Sequence, residues 1–195
     1  IYVGMAIFDV SKLHMYDFYY DVLKEKYNDK IRLAYTDTDS FVIHVETGDL
    51  YKDLKQINNH MDFSDYPKLH DNFDLSNKKV LGKFKDEVNG KIIKEFIGLK
   101  PKMYAMDIQH DKEKKTAKGV PKNIVKKEMN FNMYKKTLYE NCNEKVKFNT
   151  IRSYQHKLFS ITCSKTGLSN FENKRYYVNN ELSYPHGHYK IPSIN

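Results

Sequence analysis

Two aspartates, Asp37 and Asp39, stand two positions apart within the run YTDTDS at residues 35–40. Carboxylates at i and i+2 on a strand end can point to one side and share divalent cations. Two such ions, about 3.5–4 Å apart, orient an attacking 3′ hydroxyl and neutralise the leaving pyrophosphate in nucleotidyl transfer. The spacing therefore predicts a possible metal site suited to phosphoryl-transfer chemistry.

A polar turn that binds nothing is the other interpretation of these residues, because Asp and Thr both favour tight turns. A calcium loop of the EF-hand type is excluded. Such a loop requires Gly at its sixth position and Glu at its twelfth. Counted from Asp37, those positions hold Val42 and Gly48.

The elements that flank the two aspartates can be read from the spacing of the apolar residues. Residues 3–27 carry apolar side chains mostly three and four positions apart, which predicts one long amphipathic helix. Residues 31–35 and 40–46 read as two strands around the turn residues 36–39. The sequence thus predicts a β-hairpin with acidic residues at its tip.

Five further elements are predicted between residues 47 and 108. Residues 47–60 read as a short helix, and residues 61–77, broken by Pro67, read as a surface loop. Residues 80–88 and 91–97 flank Asn89-Gly90, a dipeptide that suits a type I′ turn, so a second hairpin is predicted. Residues 100–108 read as a third strand.

The last part of the chain differs in composition. Residues 109–119 read as a polar connector, and we place a domain boundary near Gly119, so that residues 1–119 and 120–195 form separate regions. Residues 121–142 have helical spacing. The pattern of residues 145–195 assigns no secondary structure.

Charge is divided unevenly along the 195 residues. Residues 1–100 hold 15 basic and 17 acidic residues, whereas residues 101–195 hold 18 and 8, so the second half is the expected polyanion contact. Two cysteines are too few for a disulfide framework. No run of about 18 apolar residues is present, so no membrane-spanning helix and no membrane partner are predicted. The chain begins at Ile1 without signal-peptide features, and we expect it to be a piece of a longer protein whose compartment the sequence leaves unknown.

The run YTDTDS resembles motif C of family B DNA polymerases, which is written YxDTDS. The resemblance implies that Asp39 is the principal metal ligand and Asp37 a supporting acid, while Tyr35, Thr36, Thr38 and Ser40 form the motif C turn. Lys102-Met103-Tyr104 resembles the KxY motif of the protein-primed branch. Lys102 and Tyr104 are therefore expected to share one strand face and to reach the primer-strand backbone.

The similarity to this branch extends over most of the chain, through LGKFKDEVNGKIIKEFIGLKPKMYA and the tail that ends KRYYVNNELSYPHGHYKI. The tail resembles polymerases of Polinton-type elements and related viruses and linear plasmids. Two other family motifs are missing here: motif A, with its DxxSLYP-like carboxylate, and motif B, with the lysine of KxxxNSxYG. The chain by itself is therefore not expected to polymerise DNA.

The resemblance implies an α+β fold, in which a partial polymerase palm with the helix behind the motif C hairpin precedes a mainly helical, basic, thumb-like region. It implies DNA-directed DNA polymerase activity with two Mg²⁺ ions, one of whose carboxylate ligands comes from motif A outside this chain. The implied partners are a DNA primer-template, a deoxynucleoside triphosphate and a terminal priming protein. A non-catalytic nucleic-acid-binding remnant of a mobile-element or viral polymerase is the alternative.

Overall fold

The computed structural model describes residues 1–172, 174–179 and 182–191 and has an α+β fold with small antiparallel sheets. The chain divides into two compact units. The first unit comprises Ile1–Phe96 and Asp107–Lys112, and the second comprises Ile97–Met106 and Glu113–Asn195. This division differs from the boundary predicted near Gly119. It falls within a hairpin whose far end belongs to the core of the second unit.

The chain begins with the predicted long helix, which runs without interruption through three segments. These are α1 (Tyr2–Asp17), a π-helical segment (Phe18–Lys24) and α2 (Glu25–Tyr27). Residues 1–10 are all exposed, and burial starts only at Met15. The later turns therefore anchor the helix to the core of the first unit. Within the described residues, no helix has the length and apolarity needed to cross a membrane.

The predicted hairpin is confirmed. Strands β1 (Ile31–Asp37) and β2 (Ser40–Val45) pair antiparallel around a two-residue connection. The first unit continues with α3 (Leu50–Gln56), whose N-cap Asp49 accepts hydrogen bonds from two backbone N–H groups, and with a 3₁₀ turn at Asn58–His60.

The segment from residue 61 to 77 is a loop, as predicted, but its placement on the surface is wrong in part. Met61, Phe63 and Tyr66 are buried in the core of the first unit. Asp62 is also buried, and its carboxylate accepts hydrogen bonds from the backbone N–H groups of Ser64 and Lys79. Its aromatic side chains draw this loop inward, although its polar composition is typical of a surface segment.

The second predicted hairpin is wrong, although its turn is confirmed. Asn89 and Gly90 have φ values of 54° and 81°, and the Lys91 N–H donates to the Val88 carbonyl at 3.2 Å, as a type I′ turn requires. Residues 80–88 nevertheless form no strand. The Asp86 carboxylate accepts hydrogen bonds from the N–H groups of Val88 and Gly90, so local side-chain bonds hold the turn without a ladder.

A three-stranded sheet follows, in the order β3 (Ile93–Lys100), β4 (Met103–Ile108), β5 (Lys114–Ala117). The third strand of the sequence prediction corresponds to β4. The polar connector predicted at residues 109–119 is wrong in part. Its residues Lys114–Ala117 form β5 and pair with β4 despite their charge. Ala105 of β4 and Ala117 of β5 are buried in the core of the second unit, which explains why a lysine-rich segment becomes a strand there.

Two helices replace the single helix predicted over residues 121–142. They are α4 (Lys122–Lys127) and α5 (Phe131–Tyr139). Two side chains cause the break: the Asn130 side chain accepts the Met133 N–H at 3.0 Å, and the Glu113 carboxylate, distant in the sequence, accepts the Phe131 N–H at 2.9 Å. A new helix therefore starts at residue 131, capped by two side chains.

The prediction that the region from residue 120 is mainly helical is wrong, because its described residues contain more strand than helix. Strands β6 (Glu144–Tyr154) and β7 (Lys157–Leu168) form a long two-stranded ribbon, and β8 (Arg175–Tyr177) pairs with β9 (Ser183–Pro185). Alternating β-branched and aromatic residues in the ribbon, such as Val146, Phe148 and Thr150, favour strands.

Candidate active site

A β-bulge decides which way the acidic hairpin tip faces. Leu33 pairs with Ile43, but Tyr35 pairs with Val42, so Ala34 is the extra residue. Cross-strand partners lie on the same face of an antiparallel pair, and alternate residues of a strand lie on opposite faces. The bulge therefore moves Tyr35 onto the face opposite to that of Leu33.

Asp37 lies on this second face as well. It pairs with Ser40, and Ser40 shares its face with Val42. The first face is the one that packs against the core of the first unit, through Ile43 and Phe41. The supporting carboxylate of the predicted site thus points away from the core and is half-buried.

The tip is a tight turn held by several hydrogen bonds. Thr38 has a φ of 58°, and the Asp39 N–H donates to the Asp37 carbonyl at 2.6 Å. The Ser40 hydroxyl donates to the same carbonyl at 3.3 Å, and the Thr38 hydroxyl donates to the Asp37 carboxylate at 3.3 Å. Positive φ is uncommon for a β-branched residue. Asp39 itself is exposed, so the turn presents one half-buried and one exposed carboxylate in succession.

Aromatic side chains pack against the core face of the hairpin. On its core face, Phe41 lies 5.8 Å from the Tyr19 ring and 6.3 Å from the Phe84 ring. Phe84 stacks in turn on Phe18, with ring centroids 3.9 Å apart. The pattern of residues 80–88 predicted a strand that includes Phe84. Its role in the core depends on contacts with residues far away in the sequence.

The carboxylates of the described residues do not complete a two-ion site by themselves. Among the described residues, no group of three or more His, Cys, Asp or Glu side chains is arranged to hold a metal ion. Asp37 and Asp39 supply two carboxylates, whereas two bridged divalent ions need further oxygen ligands. The donor set is of the right chemistry for Mg²⁺ but is incomplete within the described part of the chain.

Lys102 and Tyr104 belong to the second unit, whereas the hairpin tip belongs to the first. Lys102 does not share a strand with Tyr104, because β4 begins at Met103. It occupies the turn after Pro101 with a φ of 60°, which is the pattern of a type II turn. Tyr104 is half-buried in β4 and pairs with Thr116. The prediction that Lys102 and Tyr104 share one strand face is therefore wrong.

The β6–β7 ribbon is a cationic surface that none of the sequence motifs includes. Between residues 144 and 168 it carries five basic residues and one acidic residue. Arg152 pairs with Phe159 and Tyr154 pairs with Lys157, so two cations and two aromatic rings share one face near the ribbon's tip. Both rings are exposed, Tyr154 to 68% and Phe159 to 44%. The alternation of basic and aromatic residues was the signal that could have located this face.

Comparison with known proteins found no match among family models, curated proteins or solved structures.

Proposed function

We propose that this chain is the motif C part of a family B DNA polymerase of the protein-primed branch, an enzyme that transfers nucleotides to a DNA 3′ end. The observation that carries the proposal is the geometry of the hairpin tip. Asp37 and Asp39 stand at a two-residue connection between paired strands, and Asp37 faces away from the core. An acidic pair displayed in this way can reach a substrate.

Each residue of the tip has a distinct part in this proposal. Asp39 is the principal metal ligand and Asp37 the supporting one, while Tyr35, Thr38 and Ser40 hold the turn. Bound Mg²⁺ would orient the attacking hydroxyl and neutralise the leaving pyrophosphate. The further carboxylate would come from motif A, outside these 195 residues, and this chain alone is accordingly expected to be inactive.

The exposed start of the long helix supports the idea that more protein packs against this chain. Its first ten residues include Val3, Ile7 and Phe8, all of which are more than 60% exposed. A helix that is apolar all round is normally buried. We infer that a further part of the polymerase covers this surface.

The proposed substrates are a DNA primer-template and a deoxynucleoside triphosphate, with a terminal protein as the primer. Lys102 and Tyr104 are proposed contacts of the primer strand. The β6–β7 ribbon is a further candidate for DNA contact, because a two-stranded antiparallel ribbon fits a DNA groove and its cations match the phosphates. The excess of basic residues in the second half of the sequence favours the same partner.

A second candidate function is nucleic-acid binding without catalysis. The exposed, basic and aromatic face of the ribbon favours it, since it requires neither Asp37 nor Asp39. The two candidates differ in whether the acidic tip is used.

The deciding experiment uses the longest reading frame that contains this chain. Magnesium-dependent nucleotide incorporation is measured on a primed DNA template, and with a candidate terminal protein, for the wild type and for Asp39→Asn. We expect incorporation by the wild type and a loss of at least about 100-fold in the variant, the scale on which removal of electrostatic stabilisation acts.

The matched control is Asp29→Asn, which removes an exposed carboxylate just before β1. It should keep the wild-type rate. A folded wild type that binds DNA without incorporating nucleotides would contradict the polymerase and favour the binding function. Equal rates in the two variants would remove Asp39 from the mechanism.

A further inference from the structure

Arg32 and His44 lie directly opposite each other in the β1–β2 hairpin. His44 shares its face with Val42 and Ser40, because β2 alternates regularly from Ser40 to Val45. Arg32 therefore stands on the same face as Asp37, at the other end of the hairpin. No motif of the sequence analysis includes either residue.

Both side chains are exposed. Within the part of the chain that the structure describes, neither side chain has an ion pair or a hydrogen bond. A guanidinium group binds a phosphate through two parallel N–H···O bonds, and an imidazole N–H adds a third donor. An exposed Arg next to a His is ordinarily solvated surface, and what distinguishes this pair is its position relative to the acidic tip.

That position matches the spacing of a nucleic-acid strand. Five residue steps of about 3.3 Å, less one for the bulge, place Arg32 roughly 13–16 Å from Asp37 along the strand. At about 3.4 Å of rise per nucleotide, this distance corresponds to about four nucleotide steps. Tyr35 lies between the two residues on this face, with the Phe96 ring packed against it. A strand whose 3′ end reaches Asp37 and which passes beside this ring pair would bring a backbone phosphate to Arg32.

We propose that Arg32 and His44 form a subsite for a backbone phosphate of the DNA strand whose 3′ end lies at the acidic tip, about four nucleotides upstream of that end. The inference rests on the proposed function, since that function places a DNA strand on this face. Arg32 supplies the charge and the bidentate geometry, and His44 supplies one further donor.

The test is a binding measurement with the 195-residue chain. Fluorescence anisotropy of a labelled primer-template duplex is recorded in a salt titration for the wild type, Arg32→Gln, Arg32→Lys and His44→Gln. Lys68→Gln serves as the matched control, because it removes an exposed charge from a loop of the same unit. Circular dichroism checks that each variant is folded.

We expect Arg32→Gln to bind about 2- to 5-fold more weakly, the range of an exposed ionic contact. The slope of log K against log salt should decrease by about 0.9, which is the loss of one phosphate contact. Arg32→Lys should recover the slope and only part of the affinity, because lysine keeps the charge without the fork. His44→Gln should show a smaller loss.

Primers that carry a single neutral methylphosphonate locate the contact. A methylphosphonate about four nucleotides from the 3′ end should weaken the wild type and leave Arg32→Gln unaffected. The subsite is refuted if Arg32→Gln behaves like Lys68→Gln, if no methylphosphonate position distinguishes the two proteins, or if the wild-type chain binds no DNA. Incorporation by the longer chain and its loss in Asp39→Asn are measured independently, so the polymerase proposal can survive any of these results.

Discussion

The ring of Phe96 packs against the ring of Tyr35, with centroids 5.9 Å apart and planes inclined by 42°. Phe96 comes from β3, and Tyr35 lies two residues before Asp37 on the same face of the hairpin. This contact connects the strand that carries the acidic tip to a segment distant in the sequence. We regard it as one of the contacts that fix the bulged part of β1.

This aromatic pair should show a measurable coupling. Tyr35→Leu and Phe96→Leu, combined in a double-mutant cycle, should give an interaction energy of about 0.5–1.5 kcal/mol in the free energy of unfolding. The measurement is urea denaturation of the two single variants and the double variant. Additive effects, within about 0.3–0.5 kcal/mol, would mean that the rings contribute independently.

The left-handed conformation of Thr38 predicts that glycine is tolerated at the tip. A positive φ costs an ordinary L-residue roughly 1–2 kcal/mol, whereas glycine adopts it freely but loses about 0.5–1 kcal/mol more chain entropy on folding. We expect Thr38→Gly to leave the free energy of unfolding unchanged or to raise it by up to about 1 kcal/mol. The measurement is thermal denaturation of the wild type, Thr38→Gly and Thr38→Val. Thr38→Val is the control because valine keeps the β-branch. A clear destabilisation by glycine would contradict the strained turn.

Close packing at Gly167 predicts opposite effects of alanine at two glycines. An added Cβ at Gly167 would lie 2.7 Å from Val146 Cγ1 and 3.0 Å from Met129 Cε. Gly167→Ala should therefore destabilise the protein by about 1–3 kcal/mol through overpacking. In contrast, a Cβ at Gly4 in α1 would meet nothing within 4 Å, so Gly4→Ala should stabilise by up to about 1 kcal/mol. Chemical denaturation measures the free energy of unfolding of both variants. An unchanged free energy of unfolding in Gly167→Ala would show that the core of the second unit can expand.

Buried tyrosines predict a loss of stability at alkaline pH. Burial raises the pKa of Tyr134 to about 12, and burial followed by the charge of Asp86 raises the pKa of Tyr66 well above its ordinary range. In the unfolded chain these phenols lose their protons near pH 10. Between about pH 10 and 12 the unfolded state therefore binds fewer protons than the folded state, and stability falls as the pH rises.

Tyrosinate absorbance at 295 nm and far-ultraviolet circular dichroism, recorded from pH 9 to 12, test this prediction. The tyrosinate signal of the buried phenols should appear together with unfolding. Tyr134→Phe should make the decline of stability with pH shallower. Full ionisation of all tyrosines near pH 10 with the secondary structure intact would refute the prediction.

The ribbon should contribute separately to DNA affinity. Replacing Arg152 and Lys157 by Gln removes the two cations that share one face near the ribbon's tip. If each cation contacts one phosphate, the slope of log K against log salt should decrease by about 1.8 in anisotropy titrations. Lys52→Gln, on α3 of the first unit, is the control for removing one exposed charge outside the ribbon. An unchanged slope would exclude the ribbon as a phosphate contact.

Local patterns were sufficient for several elements. The helix of residues 3–27, the hairpin of residues 31–46 and the positive φ values at Asn89 and Gly90 were all predicted correctly. Each depends on residues close together in the sequence, through helical periodicity, strand alternation and the permissive backbone of glycine. For the same reason the two acids could be assigned to the hairpin tip.

The errors share a different cause. Residues 80–88 have a strand-like composition but no partner strand, whereas the lysine-rich β5 has one in β4. The pattern of residues 145–195 assigned no secondary structure, and the resemblance implied a mainly helical region where the strands β6 and β7 form. A strand is stable only when another strand pairs with it, and that pairing is a long-range property.

The sequence by itself determined that Asp37 and Asp39 stand at the tip of a β-hairpin, because turn-forming residues between alternating strands suffice for that. Only the tertiary structure decided which face carries Asp37. That choice depends on the bulge at Ala34, on the apolar core behind Phe41 and on the aromatic contact from Phe96. A shift of one residue in register moves every later side chain of a strand to its other face, so the face is set by the partner strand and the core together.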